Sequence, residues 1–156
     1  MAKKATGPFI QWAGAKRALA PRILELMPDR IDRYAEPFLG GGSVFFALAH
    51  AGRFTESTPI VLSDANDVLI NAWRQVQSCV QLVAKHLDSW HDDKATFITL
   101  RDEWELDGGP QSAARFLYLN RATFNGLWRL NKAGKLNMPY GAIPAGGRDL
   151  TQRPKL

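Results

Sequence analysis

The sequence is poor in cysteine and in long apolar runs, and both absences exclude classes of protein. Cys79 is the single cysteine among 156 residues, so no internal disulfide can form, a pattern typical of the reducing cytoplasm. Its place within the stretch 68–82 favours a core side chain over a nucleophile. No apolar run approaches the length of a membrane span, and the first residues lack a signal peptide's apolar region. We therefore expect a cytoplasmic chain with room for one domain core.

Two common nucleotide-binding motifs are also missing. The glycines at 40–42 are not followed by Gly-Lys-Ser/Thr, which excludes a Walker A loop, and they do not form G-x-G-x-x-G, which argues against NAD. Their surroundings nevertheless predict a nucleoside pocket. A strand at 35–38 leads into the glycines, Ser43 is a natural N-cap for the next helix, and a buried strand at 60–62 ends before Asp64. Glycines allow close backbone approach, and an acidic side chain at a strand end suits ribose hydroxyls. A glycine turn in an ordinary α/β protein remains the alternative.

An aromatic residue and a cation flank the first turn of the chain. Trp12 precedes the turn at Gly14 and Lys16 follows it, before a helix at 19–27 that has Pro21 in its first turn. An aromatic surface beside a cation suits a ligand that carries a base and a carboxylate. Taken separately, Trp12 would be a core residue and Lys16 a surface residue.

A break in the helical region 81–105 contains two histidines and two aspartates, namely His86, His91, Asp92 and Asp93. Their spacing matches none of the usual zinc patterns. A polar loop is therefore a better interpretation than a metal site.

The basic charge is concentrated near the end of the chain. The net charge is +5, and residues 113–156 carry eight Lys and Arg against one Asp. A helix at 111–124 is followed by residues that alternate with period two on both sides of 132–134. This pattern predicts a hairpin with one apolar face and one face of Arg, Lys and Asn. Such a hairpin beside exposed aromatics suits a DNA groove, although an ordinary solvated hairpin is the alternative.

Three blocks occur in order across most of the chain: PFIQWAGAKR at 8–17, YAEPFLGGGSVFF at 34–46 with SDANDVLINAW at 63–73, and FLYLNRATFNGLWRLNKAGKLNMPYG at 116–141. Together they resemble the Dam-type (alpha-class, D12 family) site-specific DNA adenine-N6 methyltransferases. The resemblance implies an α/β fold, an incomplete class I (Rossmann-like) fold that binds S-adenosylmethionine (SAM). It also implies a cofactor-binding part at 8–75, a helical and β-hairpin target-recognition region at 76–141, and a truncated tail at 142–156.

The resemblance assigns residues to both sites. The turn from Glu36 to Gly41 would lie beneath the methionine part of SAM, and Asp64 would bind the ribose. The residues implied to bind SAM are Trp12, Lys16, Glu36, Pro37, Phe38, Gly40, Gly41 and Asp64. Phe124 matches an aromatic that wedges into double-stranded DNA, consistent with base flipping. The residues implied to contact DNA are Arg121, Phe124, Asn125, Arg129, Pro139 and Tyr140.

The sequence departs from the family pattern at three places. Ala15 stands where a second glycine is usual, and Gln11 stands where a base-reading Lys is often found. The Asp-Pro-Pro-Tyr-type motif that binds the adenine amine is absent, because none of the nine prolines are adjacent. The partial copy at 137–140 belongs to the recognition hairpin's own pattern. We therefore expect a chain without catalytic residues that is inactive alone, and that is marginally stable, aggregation-prone or complemented by a separate polypeptide supplying the C-terminal half.

Other classes of function have less support. The main alternative is a DNA-binding module that has lost catalysis, which would bind DNA in a salt-dependent way without affinity for SAM. The recognition block argues against an RNA methyltransferase. A nucleotide-binding oxidoreductase has no support beyond the glycine turn.

Overall fold

The computed structural model describes residues 7–103 and 108–150, which have a mixed α/β architecture. Within these ranges the chain forms five α-helices and one two-stranded sheet. No helix in them is long and apolar enough to cross a membrane. Glu105, the expected end of the helical region, and residues 151–156 of the expected tail lie outside the described residues. The elements in chain order are α1 (Ala20–Leu26), β1 (Tyr34–Glu36), α2 (Ser43–His50), β2 (Ile60–Leu62), α3 (Asp67–Asp88), α4 (Lys94–Asp102), α5 (Pro110–Ala122) and a 3-10 turn (Phe124–Gly126).

The two strands and α2 form a βαβ unit. β1 and β2 pair in parallel, with Tyr34 opposite Ile60, and α2 supplies the crossover that parallel strands require. The pairing continues beyond the strands. The Ser63 N–H donates to the Glu36 carbonyl at 3.0 Å, and the Leu39 N–H donates to the Ser63 carbonyl at 3.0 Å. Both strands therefore deliver the residues that follow them to the same edge of the sheet.

The start of α2 differs from the expectation. Gly42, not Ser43, is the N-cap, and Ser43 is the first helical residue. Gly42 has a φ of 71°, in the left-handed region that favours glycine. A Cβ at this position would lie 2.6 Å from the Trp73 ring. The packing of Trp73 against the loop therefore requires glycine at the cap.

The sequence predicts a helix that starts at 64–67 and runs through Val76 or beyond, and α3 joins it to the first part of the helical region 81–105. It begins after Asn66, whose side chain accepts from the Leu69 N–H at 3.0 Å, and it continues through Asp88. The break in the helical region is confined to residues 89–93. Cys79 lies at a kink with φ −148° and ψ 46°. Its side chain is half-buried and donates to Gln75 Oε1 at 2.9 Å, so the expected core position is corrected.

α5 lies at the centre of the main hydrophobic core. Every residue from 112 to 122 except Arg115 is buried, because α3 and α4 pack against this helix. A helix buried on all sides is normally apolar, yet α5 holds Asn120 and Arg121 inside the protein. The apolar residues buried with it include Leu69, Val83, Leu87, Phe97, Leu100, Leu136 and Met138.

The predicted hairpin follows the 3-10 turn. Leu130 and Leu136 form an antiparallel bridge, and backbone hydrogen bonds join the two arms on either side of it. Leu136 is buried together with Met138, whereas Leu130 is 43% exposed. Both arms contact the core, the second through Leu136 and Met138 and the first through Trp128, whose ring centroid is 4.7 Å from that of Phe116.

Candidate cofactor cavity and nucleic-acid interface

A cavity of about 340 Å³ lies where β1 and β2 end. This is the edge at which α/β proteins usually bind ligands. Pro37 does not line the cavity, although it lies between two residues that do. The other seven residues predicted to bind SAM are all in the wall: Trp12, Lys16, Glu36, Phe38, Gly40, Gly41 and Asp64. The fold thus brings together residues from three separate stretches of the chain.

Two glycines of the wall are required by the packing of the protein itself. A Cβ on Gly40 would lie 2.8 Å from Trp12 Cδ1, and a Cβ on Gly41 would lie 2.8 Å from the Ile10 carbonyl oxygen. Gly40 also has a φ of 50°. The glycines therefore allow the segment 9–12 to pack over the turn, in addition to leaving space for a ligand.

Asp64 holds the glycine turn from the end of β2. Its Oδ2 accepts from the Gly40 N–H at 2.9 Å, and its Oδ1 accepts from the Asn66 N–H at 3.0 Å. An ionised carboxylate has about four acceptor positions, so each oxygen retains capacity for a ligand donor. The side chain is half-buried and lines the cavity. This arrangement is compatible with ribose hydroxyls as ligand groups.

Glu36 contributes a second carboxyl group to the wall. Burial raises the pKa of this carboxyl above its ordinary value, although the Tyr34 hydroxyl donates to Oε2 at 2.8 Å and favours the ionised form. Burial also raises the pKa of the Tyr34 hydroxyl, so this group stays a donor at neutral pH. A cationic ligand group near Glu36 would favour the ionised carboxylate.

Aromatic and cationic side chains surround the cavity opening. Lys16 is exposed, and its Nζ donates to the Gly14 carbonyl at 2.8 Å. Trp12 is half-buried, with its ring centroid 6.2 Å from that of Phe116. Phe38 is 85% exposed. Trp12 therefore packs on the core with part of its surface and lines the cavity with the rest.

Four of the six residues predicted to contact DNA lie on the surface. Phe124 is 52% exposed, and Asn125 beside it is exposed with a φ of 55°, which is uncommon for a residue other than glycine. The Phe124 N–H donates to the Pro139 carbonyl at 3.1 Å, which holds the 3-10 turn against the end of the hairpin. Pro139 and Arg129 are also exposed. These four residues define what we call the recognition surface.

The other two predicted DNA contacts are engaged within the protein. Arg121 is 7% exposed, its Nη2 donates to the Phe9 carbonyl at 3.1 Å, and burial lowers its pKa to about 10. The Tyr140 hydroxyl donates to Asp92 Oδ1 at 2.8 Å. The Arg148 guanidinium lies over the Tyr140 ring and pairs with Asp92 Oδ2 at 3.2 Å. Partners within the protein therefore hold both side chains in this conformation: Arg121 is buried, Tyr140 is half-buried, and their contact with DNA stays a prediction.

The two aspartates of the loop after α3 have structural partners. Asp92 accepts from Tyr140, as described above. Asp93 is the N-cap of α4, and the Thr96 N–H at 2.7 Å from its Oδ1 holds the pKa of this carboxyl below the ordinary value. Within residues 7–103 and 108–150, no group of three or more His, Cys, Asp or Glu side chains is arranged to hold a metal ion.

Sequence reasoning did not single out Asn120 for a role. It occupies the apolar stripe of α5 in the sequence pattern and is fully buried in the structure. Its side chain hydrogen-bonds to Gln11, which is 109 positions away in the chain, and to Gly126, which is 6 positions away. The sequence did carry one signal for this role: a polar amide side chain at a position where the helical periodicity of α5 predicts an apolar residue.

The fold defines an α/β protein with a cavity at its strand ends and a basic hairpin after its last helix. The model of the family described as D12 class N6 adenine-specific DNA methyltransferase matches residues 12–152. The chain therefore belongs to this family, and the family resemblance seen in the three sequence blocks is confirmed.

Curated relatives of known name support this assignment. The Type II methyltransferase M1.LlaDCHI of Lactococcus lactis subsp. cremoris is 36% identical over 144 residues, covering 86% of this chain and 47% of the relative. The Type II methyltransferase M.MjaIII of Methanocaldococcus jannaschii is 32% identical over 152 residues, covering 86% and 52%. The DNA adenine methylase of Vibrio cholerae serotype O1 is 32% identical over 139 residues, covering 86% and 47%. The chain thus spans about half the length of these relatives.

Proposed function

We propose that this chain takes part in the transfer of a methyl group from SAM to adenine N6 in a specific duplex DNA site. Family membership supports this reaction class. The cavity carries the proposal, because its wall gathers seven residues that the family resemblance assigns to SAM. We further propose that the βαβ unit is part of a class I, Rossmann-like methyltransferase fold.

The chemistry of the cavity wall fits the groups of SAM. Asp64 offers acceptors to the ribose hydroxyls, and Lys16 offers a cation to the methionine carboxylate. Trp12 and Phe38 offer aromatic surfaces to the adenine, and Glu36 offers a carboxyl to a cationic group. When bound, SAM supplies the electrophilic methyl group of its sulfonium.

The recognition surface suits duplex DNA. An exposed aromatic at Phe124 is the kind of side chain that enters a base stack, and a base must leave the stack before its exocyclic amine can react. Arg129 is exposed at the same surface, and residues 113–156 carry a strong excess of positive charge. Phosphate attraction and partial unstacking of the duplex would therefore act together.

We propose that this chain does not complete the methyl transfer alone. It contains no adjacent prolines, so the Asp-Pro-Pro-Tyr-type motif expected to bind the adenine amine is absent from it. The catalytic residues would come from a segment outside these 156 residues, on the same or on another polypeptide. The chain itself would contribute the SAM cavity and part of the DNA surface.

Calorimetric titration of SAM into the purified 156-residue chain tests the cofactor assignment. Asp64→Asn removes one carboxylate acceptor from the wall, and we expect SAM affinity to fall by about tenfold, as for the loss of one good hydrogen bond. Asp67→Asn makes the same chemical change at an exposed residue that does not line the cavity, and it should leave the affinity within about twofold. Absence of SAM binding, or equal affinities of all three proteins, would contradict the assignment.

Fluorescence anisotropy with a labelled duplex tests the DNA assignment. We expect Phe124→Ala to weaken duplex binding by about fivefold or more, since an aromatic that stacks on a base contributes about 1–3 kcal/mol. Ile143→Ala is the matched control, because Ile143 is 49% exposed but outside the recognition surface. Salt-dependent duplex binding without SAM binding would instead favour the alternative function, a DNA-binding module without catalysis.

A further inference from the structure

Asn120 connects two parts of the chain that belong to different proposed sites. Its Oδ1 accepts from the Gln11 N–H at 3.0 Å, and its Nδ2 donates to the Gln11 carbonyl at 2.7 Å. The same Nδ2 donates to the Gly126 carbonyl at 3.3 Å. Asn120 is fully buried, so loss of these bonds would leave its amide unsatisfied inside the core.

The two connected segments lie next to the proposed ligands. Gln11 immediately precedes Trp12, which lines the cofactor cavity. Gly126 ends the 3-10 turn that presents Phe124 and Asn125 at the recognition surface. The buried Asn120 amide is therefore bonded both to the segment that leads into the cavity wall and to the turn that carries Phe124, the proposed DNA wedge.

Close packing makes this connection stiff. A Cβ on Gly126 would overlap Gln11 Oε1 and would lie 2.9 Å from Gln11 Cβ, so the two segments touch with no space for an added methyl group. The neighbouring Arg121 guanidinium also holds the Phe9 carbonyl at 3.1 Å. Movement of the segment 9–12 would consequently move or loosen the 3-10 turn.

We propose that Asn120 is a positioning residue that couples the cofactor cavity to the recognition surface. A ligand that packs on Trp12 fixes Gln11, and Gln11 through Asn120 fixes the turn that carries Phe124. Bound SAM therefore strengthens duplex binding, because it has already restricted the conformational freedom of the turn that carries Phe124, which the duplex would otherwise have to restrict. By linkage, the duplex strengthens SAM binding by the same factor. This inference rests on the proposed function, because it requires both SAM and duplex DNA as ligands.

The test measures the ratio of the duplex Kd without SAM to the duplex Kd with saturating SAM. For the wild-type chain we expect a ratio of about five or more, the lower end of typical coupling between sites. Asn120→Asp keeps an acceptor for the Gln11 N–H. It replaces the donor Nδ2 with an oxygen, which would face the Gln11 and Gly126 carbonyls. We expect its ratio to fall to about one. A variant that is only less stable would bind less duplex in both conditions and keep the wild-type ratio.

Asn71→Asp is the matched control. Asn71 is a half-buried asparagine of α3 whose Nδ2 donates to the Gly109 carbonyl at 3.3 Å, so the same chemical change is made away from both sites. This variant should keep the wild-type ratio. A folded Asn120→Asp protein with the wild-type ratio, or a wild-type ratio of about one, would overturn the coupling.

The outcomes separate this inference from the proposed function. A wild-type chain that binds neither ligand refutes both, whereas one that binds each ligand without mutual effect refutes the coupling alone. If thermal unfolding shows that Asn120→Asp does not fold, Gly126→Ala changes the other side of the same contact and leaves Asn120 intact. We expect a lowered ratio for it too, and an unchanged ratio would overturn the proposal.

Discussion

Glu36 has a raised pKa and lines the cavity, so ligand binding should depend on pH. Burial makes the free protein keep the carboxyl proton to a higher pH than usual. A cationic ligand lowers this pKa, so binding releases the proton and affinity rises as pH rises through the pKa of Glu36. We expect SAM affinity to increase with pH across the range in which the Glu36 carboxyl of the free protein loses its proton, a range that lies above the ordinary one for glutamate. Calorimetry in two buffers of different ionisation enthalpy measures both the affinity and the proton released.

Glu36→Gln should remove this pH dependence, because an amide keeps the acceptor for the Tyr34 hydroxyl but does not titrate. Glu56→Gln makes the same change at an exposed glutamate outside the cavity and should retain the dependence. A wild-type affinity that is flat across this pH range would show that no cationic part of the ligand lies near Glu36.

At single residues, the sequence indicated what local motifs determine but did not show what distant packing decides. The cavity residues were predictable because they lie at the first turn, in the glycine turn or at a strand end, features that are visible locally in the sequence. Arg121 and Tyr140 have the right residue types for DNA contact. Their hydrogen-bond partners inside the protein, Phe9 and Asp92, lie 112 and 48 positions away in the chain. No local pattern reports such partners.

A single glycine, Gly42, determines where α2 begins. Gly42 combines a left-handed backbone with contact against the Trp73 ring, whereas Gly52 has a φ of 68° and no heavy atom within 4 Å of an added Cβ. Gly52→Ala therefore measures backbone strain alone, which costs about 1–2 kcal/mol. Gly42→Ala adds the steric clash, and we expect a loss of about 3 kcal/mol or more in the free energy of unfolding.

Urea denaturation of both variants measures this difference. Circular dichroism of Gly42→Ala should also show whether the helix signal is retained before unfolding. Equal losses for the two variants would mean that the Trp73 ring moves away at little cost, and that the cap conformation alone explains the glycine.

The sequence predicted helices and strands well where the periodicity of apolar residues and the boundary signals indicate the same element. The two strands and the hairpin follow from a short apolar run and from alternation. The extension of α3 to Asp88 does not, because the sequence pattern assigns His86 to a polar break, whereas His86 lies in the last turn of the helix. The predicted N-cap of α2 was wrong. Ser43 satisfies the local preference for an N-cap residue, whereas Gly42 is selected by its contact with Trp73, a residue of α3.

The whole molecule exposes apolar surface beside its small sheet. A cavity of about 590 Å³ lies between α2, β2 and α3, with an apolar lining that includes Phe45, Phe46, Ile60, Leu62 and Trp73. On β2, Val61 is 61% exposed. The two strands are the whole sheet within residues 7–103 and 108–150. Unpaired strand edges with exposed apolar side chains favour association with another chain.

We expect the purified 156-residue chain to self-associate as its concentration rises, because this surface has no cover within the described residues. Val61→Thr keeps a β-branched side chain but makes it polar, so it should reduce association without lowering the melting temperature. Leu82→Thr is the control, since Leu82 is 50% exposed but lies on α3 rather than on the sheet. Size-exclusion chromatography with light scattering measures the mass of each protein over a range of concentrations. A wild-type monomer at all concentrations, with one sharp cooperative melt, would show that the exposed face is stable in water and does not require a partner polypeptide.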